Sequence, residues 1–214
     1  MLTVHHLNHS RSQRILWLLE ELELDYALVP HQRDAHTSLA PPELKSVHPL
    51  GKAPVLEDQG RVIAESGAII DYVVRRHGGG RLAPPPDSVE FDAYVEWLHY
   101  AEGSAMLPFM LGLYLSRLGD AAAPLQPRLG SEVHNHLAYI ANALGEHEYL
   151  VGDTFTAADI QVGFVLEAAQ SSHALGRFPN LVAYLRRLHE RPAYQRAILR
   201  GGPFDLSAMR KRKD

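Results

Sequence analysis

Two serines flank an arginine in the segment His9-Ser10-Arg11-Ser12-Gln13-Arg14, which joins a predicted strand to a predicted helix. Hydroxyl groups and free backbone N–H groups meet there at the positive end of the helix dipole, a setting that binds anions. Either serine can instead cap the helix, and position alone favours that role. One serine can cap while the other faces a ligand, so both interpretations stay open.

A second candidate site lies in Pro49-Leu50-Gly51-Lys52-Ala53-Pro54-Val55, before a predicted strand. A proline opens this strand, and the Ala53–Pro54 bond is a candidate for the cis form. A cis bond would turn the backbone N–H and C=O of Ala53 outward, where they would pair with an extended, peptide-like ligand. The segment alone favours the alternative, an ordinary loop with Lys52 in water.

The turn Glu65-Ser66-Gly67 precedes another predicted helix. Taken alone, it favours Ser66 as the N-cap and Glu65 as a favourable charge near the helix start. The functional alternative is that the Glu65 carboxylate binds an ammonium group while Ser66 and the helix N-terminus bind a carboxylate. Together these groups would recognise the head group of an amino acid.

Several kinds of chemistry lack support in the sequence. The chain contains no cysteine, which excludes disulfides, thiolate metal sites and a cysteine nucleophile. Histidines cluster at His5, His6 and His9 and at His134 and His136, but neither spacing brings the rings to one ion, so we expect no metal. No P-loop, G-x-G-x-x-G, H-E-x-x-H or G-x-S-x-G motif occurs, which removes the usual support for nucleotide binding and hydrolysis.

Residues 1–77 predict the short alternating elements that would position these sites. Strands are predicted at 3–7, 26–29, 54–57 and 61–64, and helices at 12–23, 41–45 and 66–77. The connection Asp58-Gln59-Gly60 is typical of a β-hairpin. This order predicts an α/β layer, with helices between parallel strands and a closing hairpin, that is compatible with a thioredoxin-like topology.

The linker and the second domain follow. Residues 78–86 contain three glycines and three prolines, which cannot continue a helix. Residues 87–214 predict helices at 87–118, 125–144, 157–173, 180–189 and 193–200. The predicted fold class is α/β plus all-α, a thioredoxin-like domain followed by a helical bundle.

Composition narrows the classes of partner. Of the 214 residues, 46% are hydrophobic and 21% charged, which is typical of a globular protein. The net charge is −4, so the chain lacks the excess of positive charge that nucleic-acid-binding proteins usually have. The basic run at 210–213 is more typical of a solvated tail than of a binding site. No apolar stretch is long enough for a membrane span and no secretory signal is visible, so we expect a cytoplasmic protein.

These three sites, taken together, resemble motifs of the cytosolic glutathione transferases. The segment from His9 to Leu22 is similar to the serine-dependent bacterial and fungal members. The 49–56 segment resembles their cis-proline loop, and the turn at Glu65 resembles their γ-glutamyl-binding turn. Gly152-Asp153-Thr154-Phe155-Thr156-Ala157-Ala158-Asp159-Ile160 is similar to their helical-domain signature, in which Thr156 and Asp159 form a capping box. The order and spacing of the motifs, over about 160 residues, carry the resemblance.

The resemblance implies a homodimeric enzyme that acts in detoxification, with glutathione as co-substrate. It assigns Ser10, with Ser12 in reserve, to the glutathione sulfur. It also implies a site for the remainder of glutathione, formed by Lys52, Ala53, Pro54, Glu65 and Ser66. The dimer would place the helix at 66–77 of one subunit against the first bundle helix of the other, with contributions from Val73, Val74 and Tyr94.

The helical domain would supply a pocket for a small apolar electrophile. Aromatic and methionine side chains concentrate in its first predicted helix, although such a stripe is more often core than pocket. The candidates are Tyr100, Met106, Phe109, Met110 and Tyr114. The thiolate would attack an electrophilic carbon or a peroxide oxygen. The alternative is a non-catalytic interaction module with the same fold.

Overall fold

The structure is a computed structural model that describes residues 1–205. The basic run at 210–213 lies outside the described residues. The described chain divides into two units, one formed by residues 1–85 with 189–204 and the other by residues 86–188. No helix of the described residues is long and apolar enough to cross a membrane.

The first unit contains a four-stranded sheet of order β2-β1-β3-β4. Its strands are β1 (Leu2–Leu7), β2 (Tyr26–His31), β3 (Val55–Asp58) and β4 (Arg61–Ala64). β1 and β2 are parallel, whereas β3 is antiparallel to both β1 and β4. The predicted thioredoxin-like fold is confirmed, but parallel pairing holds for β1 and β2 alone among the described strands. The chain between β2 and β3 contains one short helix, α2 (Leu44–Val47). β3 and β4 form the predicted hairpin, whose two strands are antiparallel.

Two helices pack against the sheet through the apolar faces that the sequence predicts. α1 (Ser12–Glu21) buries Ile15, Leu18 and Leu19 completely, and α3 (Ser66–His77) buries Ile69 and Ile70 completely. Both helices begin directly after a candidate ligand-binding turn. Their N-terminal N–H groups are therefore held in place by a packed core.

A C-terminal helix, α9 (Pro192–Gly201), belongs to the first unit, although the sequence predicts residues 87–214 as one helical domain. Arg191 donates two hydrogen bonds to the Glu21 carboxylate, at 2.6 and 2.8 Å. Arg196 donates at 2.9 Å to the Glu20 carboxylate. These long-range ion pairs join α9 to α1, and local helical periodicity gives no sign of them.

The second unit is helical, as predicted. Its helices are α4 (Val89–Tyr100), α5 (Met106–Leu115), α6 (Gln126–Leu144), α7 (Ala157–Ser171) and α8 (Pro179–His189). The helical segment predicted at 87–118 is confirmed, since the backbone is helical from Val89 to the non-helical Gly119, but it is not one regular α-helix. A π-helical turn at Ala101–Ala105 separates α4 from α5, and a 3₁₀ segment, Ser116–Leu125, follows α5. Pro108 explains the π turn, since its ring would clash with the Ser104 carbonyl in a regular α-helix.

The predicted capping box at the start of α7 is confirmed. The Asp159 carboxylate accepts hydrogen bonds from the backbone N–H of Thr156 at 2.7 Å and from its hydroxyl at 3.2 Å. Asp159 is fully buried, and its second carboxylate oxygen accepts from the Leu150 N–H and the Tyr184 hydroxyl. One side chain thus fixes the helix start, the preceding loop and α8.

Candidate functional site

Ser10 and Ser12 lie at the start of α1 in a shared hydrogen-bond network. The Oγ atoms of Ser10 and Ser12 are 2.7 Å apart, and Ser10 Oγ accepts from the Ser12 backbone N–H at 3.2 Å. Ser12 is fully buried and lies 2.8 Å, Oγ to Nδ1, from His6, while Ser10 is 7% exposed. Arg11 occupies the N-cap position of α1 without a side-chain capping hydrogen bond, so the N-cap role considered for the serines is not observed. Ser10 is the nearer of the two serines to solvent.

The network continues from Ser12 into β1 and α9. Ser12 Oγ lies 3.1 Å from the Leu7 N–H nitrogen and 3.2 Å from the Leu7 carbonyl oxygen. His6 Nε2 lies 2.8 Å from the carbonyl oxygen of Gly201, at the end of α9. The local sequence shows His6 only as part of a histidine cluster and gives no sign of this contact, because its partner is 195 residues away.

The turn before α3 holds Glu65 and Ser66 in an unusual arrangement. Glu65 is exposed, has a φ of 70°, and occupies the N-cap position without a capping hydrogen bond from its side chain. A positive φ costs a non-glycine residue energy, and such residues cluster at ligand sites. Ser66 is the first residue of α3 rather than its N-cap, and its hydroxyl accepts from Nη1 of the buried Arg14 at 3.1 Å. The capping role predicted for Ser66 is therefore wrong.

The loop before β3 has the predicted backbone form. The Ala53–Pro54 peptide bond is cis. Ala53 is half-buried, and its backbone N–H and C=O make no hydrogen bond with any part of the chain between residues 1 and 205. Pro54 is buried and Lys52 is exposed. This loop thus offers a donor, an acceptor and a cation to an extended ligand.

The histidines of β1 belong to two separate hydrogen-bond networks. His5 Nδ1 lies 3.1 Å from His31 Nε2, and His5 Nε2 lies 3.1 Å from the Glu57 carboxylate, whereas His6 contacts Ser12 and Gly201. In residues 1–205, no three histidine, aspartate or glutamate side chains are grouped as a metal site would need.

Comparison with known proteins identifies the family. Residues 1–75 match the model of the glutathione S-transferase N-terminal domain, and residues 120–196 match that of the C-terminal domain. Over 208 residues, 90% of this chain and 85% of the relative, the sequence is 34% identical to glutathione S-transferase 3 of Schizosaccharomyces pombe. The chain belongs to the glutathione S-transferase family.

A solved glutathione S-transferase from Actinobacillus pleuropneumoniae is similar to this transferase in fold and sequence. The TM-score is 0.87 and the identity 34%, over 97% of this chain and 96% of that one. A further relative, a probable elongation factor 1-gamma 2 of Arabidopsis thaliana, is 27% identical over 73% of this chain and 39% of its own length. This chain therefore matches less than half of that longer relative.

The five predicted pocket residues of this glutathione S-transferase differ in exposure. Met106 and Phe109 are 1% and 4% exposed and pack in the core, Tyr100 and Met110 are half-buried, and Tyr114 is exposed. The Tyr100 hydroxyl lies 2.8 Å from His136 Nδ1, and burial raises the pKa of this tyrosine well above its usual value. Tyr100 is therefore a neutral hydrogen-bonding group at neutral pH.

Proposed function

We propose that residues of the first unit bind glutathione and that Ser10 holds its sulfur as the thiolate. The observation that carries this proposal is the position of Ser10 at the N-terminus of α1, next to solvent and hydrogen-bonded to a buried network. A free thiol with a pKa of about 8.5 is mostly protonated at pH 7. A hydroxyl donor and the helix dipole both favour the thiolate.

Ser12 is the weaker candidate for the sulfur contact. It is completely buried, and its hydroxyl already has partners in Leu7, His6 and Ser10. A ligand sulfur would have to displace one of them. We therefore assign the contact to Ser10 and keep Ser12 as its support.

We assign the remainder of glutathione to the loop before β3 and the turn before α3, because of the chemical groups that they offer. The backbone N–H and C=O of Ala53, in the loop closed by Pro54, would pair with the cysteinyl backbone of glutathione, as an added strand pairs with a sheet edge. Lys52 would approach the glycine carboxylate. Glu65 would bind the γ-glutamyl amine, and Ser66 with the N-terminus of α3 would bind the γ-glutamyl carboxylate.

Replacing Glu65 by alanine is expected to weaken glutathione binding while leaving thiol ionisation unchanged. A charged hydrogen bond contributes about 1.5–3 kcal/mol, so the dissociation constant should rise roughly 10- to 150-fold. Isothermal titration calorimetry on folded protein measures this change. The matched control is Asp71→Ala, which removes an exposed carboxylate of α3 that pairs with Arg75. Equal affinities for the wild type and Glu65→Ala would remove Glu65 from the site, and no binding by the wild type would favour the interaction module.

The second substrate is a small apolar electrophile. Tyr100, Met110 and Tyr114 are the pocket candidates with exposed surface in the single chain, whereas Met106 and Phe109 would act by supporting them. The thiolate attacks an electrophilic carbon and forms a thioether, and the leaving group departs with the bonding electron pair. Attack on a hydroperoxide would give a sulfenate and an alcohol, so peroxidase activity is a second outcome of the same thiolate. Detoxification in the cytoplasm is the role that these reactions would serve.

We expect this transferase to be a homodimer. Val73, Val74 and Tyr94, the predicted interface contributors, are 0%, 7% and 2% exposed in the single chain and so belong to its interior. The dimer therefore requires other surface residues. Sedimentation velocity at micromolar concentration should show a species of about twice 23.8 kDa, and a monomer would contradict the expectation.

A further inference from the structure

The hydrogen bonds around Ser10 lead inward to His6, whose protonation can be read from its partners. His6 Nε2 faces the Gly201 carbonyl oxygen, which only accepts, so Nε2 carries a proton. His6 is 4% exposed, and burial lowers its pKa, which favours the neutral ring at pH 7. In the neutral ring Nδ1 is then an acceptor, and it receives the proton of the Ser12 hydroxyl at 2.8 Å.

This tautomer determines the acceptor to which the Ser12 hydroxyl, and then the Ser10 hydroxyl, donates its hydrogen bond. With its proton directed at His6, Ser12 Oγ accepts from the Leu7 N–H at 3.1 Å and from the Ser10 hydroxyl at 2.7 Å. Ser10 Oγ in turn accepts from the Ser12 N–H at 3.2 Å. A second lone pair of Ser10 remains for a ligand. The resting enzyme therefore offers an acceptor to the thiol of glutathione.

We propose that Ser10, Ser12 and His6 form a proton relay that takes up the thiol proton, an inference that rests on the assignment of Ser10 to the glutathione sulfur. The thiol gives its proton to Ser10, Ser10 passes its own to Ser12, and Ser12 passes its own to His6 Nδ1. One S–H bond breaks and one N–H bond forms, with no electron transfer. The result is a thiolate and an imidazolium, and Ser10 now donates its new proton to the thiolate.

The structure satisfies the hydrogen bonds of this second state as well. The new Nδ1–H of His6 donates to Ser12 Oγ, and the Ser12 hydroxyl turns to the Leu7 carbonyl oxygen at 3.2 Å. Nε2 keeps its bond to Gly201, the last residue of α9, where the negative end of the helix dipole favours a cation. A Cβ at residue 201 would lie 2.9 Å from His6 Cε1, so glycine permits this approach.

Other groups around His6 set the conditions under which the relay operates. His31 on β2 and His9 after β1 lower the pKa of His6 through their charge, so they oppose the relay when they are protonated. The groups that α1 and α9 place near the His6 ring are uncharged: the Gln13 amide of α1 and the Gly201 carbonyl of α9. After the thiolate has reacted, the proton returns through Ser12 and Ser10 to water as the product leaves.

The relay makes a distinctive prediction about proton release. Thiolate formed in the complex with glutathione is measured by its ultraviolet absorbance, and protons released on binding are measured with an indicator dye in weak buffer. Near neutral pH the wild type should form clearly more thiolate than it releases protons, because His6 keeps the proton. One proton released per thiolate formed would overturn the relay without any variant being needed.

A variant pair tests the role of His6 itself. In His6→Asn the side-chain oxygen can still accept the Ser12 hydrogen bond but cannot hold the proton. We expect about tenfold less thiolate near neutral pH, equivalent to one unit of thiol pKa, and one proton released for each thiolate that remains. The matched control His5→Asn removes the neighbouring histidine of β1, which contacts His31 and Glu57, and should behave as the wild type.

The outcomes separate the relay from the proposed function. If Ser10→Ala reduces the thiolate but His6→Asn leaves both the thiolate and the proton ratio at wild-type values, the relay is wrong and the role of Ser10 stands. If Ser10→Ala leaves the thiolate unchanged, the assignment of Ser10 fails and the relay fails with it. A merely structural role of His6 would lower the melting temperature of His6→Asn and leave the proton ratio unchanged.

Discussion

Replacing Ser10 by alanine is expected to lower kcat/KM with glutathione roughly 10- to 150-fold near pH 7, since a hydrogen bond to a charged group contributes about 1.5–3 kcal/mol. The loss arises because the variant stabilises the thiolate less and the pKa of bound glutathione rises. It should shrink as the pH passes the ordinary thiol pKa of about 8.5, where glutathione ionises without help. Initial rates measured across pH test this directly, and glutathione affinity should change much less than the rate.

Two further serine variants make the Ser10 result interpretable. Ser46→Ala removes an exposed hydroxyl of the same unit that donates to the Glu43 carbonyl, and it should behave as the wild type. Ser12→Ala removes a buried acceptor of the Leu7 N–H, so it should lower the melting temperature as well as the rate. A normal pH profile for Ser10→Ala would show that another group ionises the thiol.

Replacing Asp159 by alanine is expected to lower the free energy of unfolding by about 3–5 kcal/mol, because it leaves three sets of buried donors, on Thr156, Leu150 and Tyr184, without their acceptor. For a chain of this size the melting temperature should fall by about 2–4 °C per kcal/mol. Urea unfolding followed by circular dichroism measures the loss.

The control for Asp159 is a second aspartate of the same region. Asp153 is exposed, lies 3.4 Å from His147 and accepts from the Glu148 N–H, so Asp153→Ala should change the unfolding free energy by no more than about 0.5 kcal/mol. Asp159→Asn retains one carbonyl acceptor, so its free energy of unfolding should lie between those of Asp159→Ala and Asp153→Ala. Unfolding free energies of Asp159→Ala and Asp153→Ala that agree would contradict the account of the capping box.

Local patterns in the sequence predicted the features that local interactions determine. The bounds of α3 were predicted correctly because its apolar spacing is regular and the strand before it is short. The capping box was predictable because Thr156 and Asp159 are three residues apart and both side chains act on the same helix start. The cis form of the Ala53–Pro54 bond was predicted as a candidate because an X-Pro bond lies in a tight turn there.

Features that depend on distant residues were not predictable in this way. By its sequence pattern, α9 resembles the bundle helices. It belongs to the first unit because Arg191 binds Glu21, which lies 170 residues earlier in the chain. Ser66 is a good N-cap by type, but the Arg14 guanidinium takes its hydroxyl and Glu65 adopts a positive φ. The two serines could be told apart only through burial, and His6 could be connected to them only through its contact with Gly201.

The most direct test of the account is the ultraviolet titration of glutathione bound to the wild-type enzyme. Calorimetry first establishes a glutathione concentration that saturates the protein at each pH. Thiolate absorbance in the complex should then titrate with an apparent pKa roughly two units below the free value of about 8.5, the shift that a hydroxyl donor and a helix N-terminus together provide. A saturated complex whose thiol titrates at about 8.5 or above would show that the enzyme binds glutathione without activating it, contrary to the account.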